Sequence, residues 1–158
     1  KMSRTSPDSG GPPMSSVHRE LTRIWAEEGG FGPEAPKAIA SADAATDGNK
    51  QFPVRKYHMR PVLFGRDCRR ELAEAHLQAA LESAAKGDLL FAWEDLGHGL
   101  HVIQDLEAHG NYRLHRRRLD DPNYTLDGRP DPEQSRLKAT EAASKQFLKR
   151  ALKNINSR

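Results

Sequence analysis

The apolar residues of this chain recur at intervals of three and four, and no sustained stretch alternates with period two. That pattern confines the fold to helices. From Ser16 to Glu28, Val17, Leu21, Ile24 and Trp25 share one helical face, with Ser16 placed to cap the start and Gly29-Gly30 to stop it. Pro33 to about Thr46 predicts a second, alanine-rich helix, in which Pro36 is tolerated because it falls in the first turn. Gly48 to Gly65 holds Pro53 and Pro61 and reads as irregular or extended. Asp67 to Lys86 predicts a third helix closed by Gly87; Asp88 then caps a fourth, which runs to about His109 and stops at Gly110. After a polar loop from Asn111 to Pro130, Asp131-Pro132-Glu133-Gln134 combines an N-cap, a first-position proline and a capping-box glutamine. The last helix follows, with Leu137, Phe147, Leu148, Leu152 and Ile155 as its buried face. The expectation is an all-α fold of about five helices around a central helix, with one long polar loop.

A length of 158 residues suits one domain. Residues 1–14, rich in Ser, Gly and Pro, read as a tail or linker, and residues 15–158 as a single α-helical domain. An opening on Lys1 followed by such a tail is expected of a segment of a longer protein. Charged residues make up 30% and the mean hydropathy is -0.81, yet the periodic apolar clusters argue against disorder. The longest strictly apolar run, Leu89-Leu90-Phe91-Ala92-Trp93, falls far short of the ~20 residues that span a bilayer, and no apolar stretch near Lys1 resembles a secretory signal. No exposed apolar helix face is expected either. The single Cys68 excludes an internal disulfide framework and a multi-cysteine zinc site. A net charge of +3 and a pI near 9.1 permit an anionic substrate without requiring one. Trp25 and Trp93 are assigned to the core, His76 to a packed or surface position, and Lys145, Lys149, Arg150 and Lys153 to an exposed helix face.

The chemistry is concentrated in the fourth helix. At ~100° per residue, His98, His101, Asp105 and His109 fall within a stripe of roughly 80°, and Glu94 extends it toward the start of the helix. Leu96, Leu100 and Ile103 lie opposite. Imidazoles and carboxylates are the N and O ligands that suit zinc and similar divalent ions. His101 and Asp105, one turn or ~6 Å apart, can share an ion. His109 is ~12 Å from His101 and points to a second one, with the carboxylate of Asp105 able to bridge.

The run Leu96-Gly97-His98-Gly99-Leu100-His101-Val102-Ile103-Gln104-Asp105-Leu106-Glu107-Ala108-His109 resembles the L-G-x-x-L-H-x-x-Q-D-x-x-x-H helix of the zinc-dependent phospholipase C and single-strand nuclease superfamily. It is most similar to the small members found as C-terminal toxin domains of rearrangement-hotspot (Rhs) and related polymorphic toxins. Upstream, His18-Arg19-Glu20-Leu21-Thr22, Glu28-Gly29-Gly30-Phe31 and Ala38-Ile39-Ala40-Ser41-Ala42-Asp43 through Asp47 follow the order of those domains, so the resemblance covers roughly residues 17 to 111. It implies that His101 and Asp105 ligate a central metal, that Asp105 also bridges, and that His109 ligates another ion. Asp47 matches the upstream carboxylate, with Asp43 as its competitor one turn earlier. His58 matches the histidine after that carboxylate, and His18 the N-terminal histidine. His98 matches no ligand and is expected to orient one or to face substrate. Two features depart from the family pattern. His18 lies behind a tail, so the family's N-terminal tryptophan with its ligating amino group is absent. The only histidine after His109 is His115, and four residues beyond it stands Leu119, with Asp120 or Asp121 as substitutes. One or two zinc ions, or another divalent metal, are therefore expected.

The function so implied is a metal-dependent phosphodiester hydrolase acting on a phospholipid head group or a nucleic acid. It would form part of a secreted or delivered toxin that acts in a target cell and is neutralised in its producer by a cognate immunity protein. Asp43 or Glu94 would take a proton from the attacking water, or else only orient ligands. Arg113, Arg116 and Arg117 would hold the phosphate bidentately. The alternative for that loop is a solvated basic segment balanced by Asp120 and Asp121. The alternative for the whole domain is a metal-stabilised helical binding module without turnover.

Overall fold

In a computed structural model of the chain, the described residues are 17–46, 69–109 and 132–157. Among them the fold is all-α, with no strand. A π-helical turn, Val17–Leu21, runs directly into α1, Thr22–Glu28; then come α2, Ala35–Ala45, α3, Arg69–Ala85, α4, Leu89–His109, and α5, Pro132–Asn156. The expected tail, the segment from Gly48 to Gly65 and the polar loop from Asn111 to Pro130 lie outside the described residues.

Glycines end two of these helices as the sequence predicts, and the hydrogen bonds show why. Gly30 adopts φ 96°, its N–H donates to the Glu27 carbonyl at 3.1 Å, and the Phe31 N–H donates to Ala26 at 3.2 Å. This pairing caps α1 with a left-handed residue and drops Phe31 into the core. Gly87, at φ 83°, does the same for α3: Gly87 N–H donates to Ala84 and Asp88 N–H to Ser83, at 3.0 and 2.9 Å. Asp88 then opens α4, its carbonyl accepting the Ala92 N–H at 3.1 Å. The first helix departs from expectation by opening as a π turn, and that turn carries His18. Thr22 reaches back five residues to donate to the Val17 carbonyl at 2.9 Å.

α4 is the centre of the bundle and packs against α2, α3, α5 and the π turn. Ala92, Leu96, Leu100 and Val102 are wholly buried on it, joined by Trp25, Ile39, Leu77 and Leu148 from its neighbours. Both Trp25 and Trp93 pack in or against this core as expected, Trp93 edge-on to Phe31 with centroids 5.7 Å apart. Two glycines allow such crowding. A Cβ on Gly97 would lie 2.4 Å from the Ile39 carbonyl oxygen and 2.7 Å from the Asp43 nitrogen, so α2 touches α4 backbone to backbone. A Cβ on Gly99 would meet chiefly the Phe147 ring edge, at 2.8 Å. One expectation is corrected: the start of α4 exposes Leu89, Leu90 and Phe91 by 48%, 61% and 63%. Three consecutive residues span roughly 200° of a helix, so a neighbour packed on one side of α4 leaves part of such a run uncovered.

Gly97→Ala is expected to destabilise the fold by about 1–3 kcal/mol, because the obstructing atoms are backbone and α2 must retreat. The helix-propensity gain of about 1 kcal/mol from alanine does not offset this. Gly99→Ala, opposed mainly by a side-chain tip, should cost less. Chemical denaturation of both variants checks the order; a Gly97→Ala protein as stable as the wild type would contradict the close approach.

Candidate metal centre

Three elements deliver the polar side chains of one buried cluster. The π turn supplies His18, α2 supplies Asp43, and α4 supplies His101 and Asp105, which project side by side because they are four residues apart. His18 and His101 stack with ring centroids 4.0 Å apart. Their Nε2 atoms each lie 3.2 Å from the Asp105 carboxylate, His18 from Oδ1 and His101 from Oδ2. One donor atom from each of His18, His101 and Asp105 falls within 4.8 Å of the others. All three side chains are at most 5% exposed.

Behind the rings stands Asp43, wholly buried. His101 Nδ1 faces the Asp43 carbonyl oxygen at 2.9 Å and its Oδ1 at 3.2 Å. A peptide carbonyl can only accept, so His101 must carry its proton on Nδ1 and, when neutral, present the Nε2 lone pair to Asp105. His18 Nδ1 lies 2.7 Å from Gln104 Oε1 and 2.9 Å from Asp43 Oδ1. Each ring is thus braced by oxygen on one side and turned toward a carboxylate on the other. Histidines that hold metals are oriented in this way.

Two lone pairs cannot face a carboxylate at 3.2 Å without a cation between them. Either protons on both stacked imidazoles or a single divalent ion would serve. With neutral imidazoles, Asp43 and Asp105 leave a deficit of two positive charges, which one zinc-like ion matches. His18 reports the same field. Burial lowers its pKa, but hydrogen bonds to Asp105 and Asp43, aided by the charge of Asp43, outweigh that and raise it from 6.5 to about 10. Carboxylates that attract a proton so strongly attract a metal for the same reason. The donor set therefore fits the metal implied by the sequence resemblance.

A second polar group lies one turn earlier on α4. His98 Nδ1 meets Thr46 Oγ1 at 3.0 Å, and its ring is 5.7 Å from that of His76, whose Nδ1 is 3.0 Å from Asp95 Oδ1. Burial first, then the nearby His76, push the His98 pKa below its usual value, with Asp95 opposing. Asp43 in the last turn of α2 and Thr46 at its C-cap thus contact His101 and His98, one turn apart on α4, in antiparallel register.

Of the residues singled out from sequence, the structure brings His18, His101 and Asp105 together, with Asp43 behind them. In that position Asp43 faces Nδ1 of both imidazoles and its Oδ2 lies 2.8 Å from the Thr22 hydroxyl, the arrangement that the orienting alternative calls for. His98 is adjacent, and Glu94 lies seven residues, roughly 10 Å, before His101, outside the cluster. His76, assigned to a packed or surface position, joins His98. The His109 side chain, Asp47, His58, Arg113, Arg116, Arg117, His115, Asp120 and Asp121 lie outside the described residues. Sequence reasoning missed Thr22, Thr46, Gln104 and Ser144. Only Gln104 carried a signal, as the glutamine of the L-H-x-x-Q-D pattern that the sequence resembles. A separate cavity of about 370 Å³ between α3, α4 and α5 holds Arg70 and Arg150, but Arg150 is already paired with Glu74, and Arg70 lies 3.7 Å from Glu107.

No protein-family model matches the chain, and neither the curated proteins nor the solved structures contain a match.

The raised pKa of His18 predicts a pH dependence. In metal-free protein its contribution to stability is complete below about pH 6.5 and is lost as pH rises through 10. Melting temperatures should therefore fall across that window, and less steeply in His18→Gln. Added zinc should stabilise progressively more over the same range, since it replaces the proton. Identical slopes for wild type and His18→Gln would refute the assignment.

Proposed function

We propose that this chain is a metal-dependent phosphodiester hydrolase domain, with zinc or a similar ion held by His18, His101 and Asp105. The observation that carries the reading is the pair of Nε2 atoms facing one carboxylate, each ring braced at Nδ1 by oxygen. A bound zinc ion would supply Lewis acidity toward a phosphoryl oxygen and lower the pKa of water to about 7. The chain's own residues do the rest. Asp43 keeps both imidazoles in the ligating orientation, and Asp105 spans the two rings. His98 stands one turn from His101, and burial pushes its pKa down, which favours the neutral imidazole that can accept a proton.

The substrate class is the phosphodiester of a phospholipid head group or of a nucleic acid. Leu89, Leu90 and Phe91 bear on that choice, because a lipid surface would bury them and a nucleic acid would not. The resemblance to polymorphic toxin domains supports a role as the effector part of a larger delivered protein, opposed in the producing cell by a cognate immunity protein. A second reading, a metal-stabilised binding module without turnover, is favoured by one fact: His18, His101 and Asp105 are buried as deeply as a structural metal site requires.

Purified wild type should contain divalent metal, which His18→Ala, His101→Ala and Asp105→Asn should each lose along with activity on diester substrates. His98→Ala should keep its metal and lose about 10–100-fold in activity. Expression of the wild type should arrest bacterial growth where His101→Ala does not. Metal retained in all three ligand variants would overturn the metal assignment. Metal bound by the wild type without turnover on any lipid or nucleic-acid diester would instead favour the binding module.

A further inference from the structure

Gln104 ligates nothing in the proposed centre, yet it is wholly buried and touches three other elements, the π turn, α1 and α5. Its Oε1 lies 2.7 Å from His18 Nδ1, while its Nε2 donates to Thr22 Oγ1 at 2.7 Å and to Ser144 Oγ, on α5, at 3.2 Å. An amide could in principle be turned the other way, which would place an NH2 group against His18 and require its Nδ1 to accept. Asp43 Oδ1, 2.9 Å from the same Nδ1, opposes that, because it too needs a donor there. Thr22 opposes it as well. Its hydroxyl has one proton, and besides Gln104 it faces the Val17 carbonyl at 2.9 Å and Asp43 Oδ2 at 2.8 Å. The carbonyl can only accept, and so can a carboxylate. A proton spent on a turned Gln104 oxygen would leave both of those acceptors facing a hydroxyl lone pair, so toward Gln104 the Thr22 oxygen is the acceptor and is met by the amide nitrogen. Ser144 offers the second acceptor for that NH2 group.

We propose that Gln104, aimed by Thr22 and Ser144, is a positioning residue that, with Asp43 Oδ1 beside it, holds His18 as the Nδ1–H tautomer and so commits its Nε2 to the cation. The sequence of constraints starts at an atom with no choice, a peptide carbonyl or a carboxylate, and passes through a hydroxyl and an amide to an imidazole. Asp43 orients His101 through its own backbone and also faces His18 Nδ1 with its Oδ1 at 2.9 Å, but the nearest Nδ1 acceptor of His18 is the Gln104 amide oxygen, on α4, at 2.7 Å. The same amide ties α5 to the centre, so the last helix contributes to the orientation of a residue near the start of the described chain. The inference rests on the cation reading for its consequence, but the hydrogen bonds it invokes exist with or without a metal.

The test uses the whole chain with and without zinc, and compares Gln104→Met, Thr22→Val and Thr22→Ser with the wild type. Methionine and valine preserve volume while removing the polar atoms, and serine restores the hydroxyl. The readouts are the imidazole Nδ1–H resonances of His18 and His101 and the affinity for zinc alone. Gln104→Met should shift or lose the His18 resonance, leave that of His101 in place, and weaken zinc binding by about 10–100-fold. Thr22→Val should move in the same direction by about tenfold, and Thr22→Ser should recover both the resonance and the affinity. Should Gln104→Met fail to fold, the Thr22 pair carries the test unaided. An unchanged His18 resonance with unchanged affinity in Gln104→Met, or in Thr22→Val, overturns the proposal; so does a Thr22→Ser protein as impaired as Thr22→Val. If the wild type binds no zinc, the cation reading fails while the His18 resonance in the metal-free protein still decides the role of Gln104.

Discussion

The contact on which the rest depends is the one between Asp43 and the two stacked imidazoles. Asp43 is wholly buried, and its carbonyl and carboxylate oxygens serve His101, His18 and Thr22 together. Burying a carboxylate and two histidines is costly unless every polar atom finds a partner. The bundle meets that demand by pressing α2 against α4 at Gly97, where no side chain keeps the backbones apart. The close approach is thus a condition of the site as well as a packing detail. It brings a backbone carbonyl within hydrogen-bonding distance of His101, something a wider helix spacing would forbid.

A polar core of this kind would be a liability in a chain that only needed to fold. α4 could have carried leucines at positions 101 and 105 and gained stability from their burial. Instead, two carboxylates are set against two imidazoles whose tautomers leave lone pairs turned inward. With both rings neutral that arrangement lacks positive charge, and a divalent ion would supply what is missing without the repulsion of two stacked imidazolium rings at 4.0 Å. The burial that supports a tightly held ion also limits access to it. For the proposed hydrolase, substrate would have to reach the ion from a side not closed by the described helices.

The fold was legible because its signals are local. Gly30 and Gly87 stop helices through their own backbone freedom, Pro36 sits where a first turn tolerates it, and the apolar spacing of Leu96 and Leu100 needs no tertiary information. His101 and Asp105 were legible for the same reason, being one turn apart on one helix. His18 lies 86 residues from Gln104, and only the likeness to a known pattern connected it with α4. Thr22, Thr46 and Ser144 carried no signal, since an uncharged hydroxyl on a helix acquires meaning only from what packs against it. The π turn was equally hidden, because its extra residue leaves the apolar spacing almost unchanged. Asp43 was noticed for its charge, but its place behind the rings, rather than in front of them, depends on the Gly97 contact. No exposed apolar helix face was expected, yet Leu89, Leu90 and Phe91 form one at the very start of α4, and their exposure depends on which neighbours pack there.

The most direct test of the account is an anomalous difference map at the zinc edge from crystals of the zinc-loaded chain. The account predicts a peak about 2.0–2.2 Å from His18 Nε2, His101 Nε2 and an oxygen of Asp105, with both Nδ1 atoms still against their oxygen partners. A zinc peak elsewhere, or His18 and His101 closed onto Asp105 with no metal between them, would contradict it.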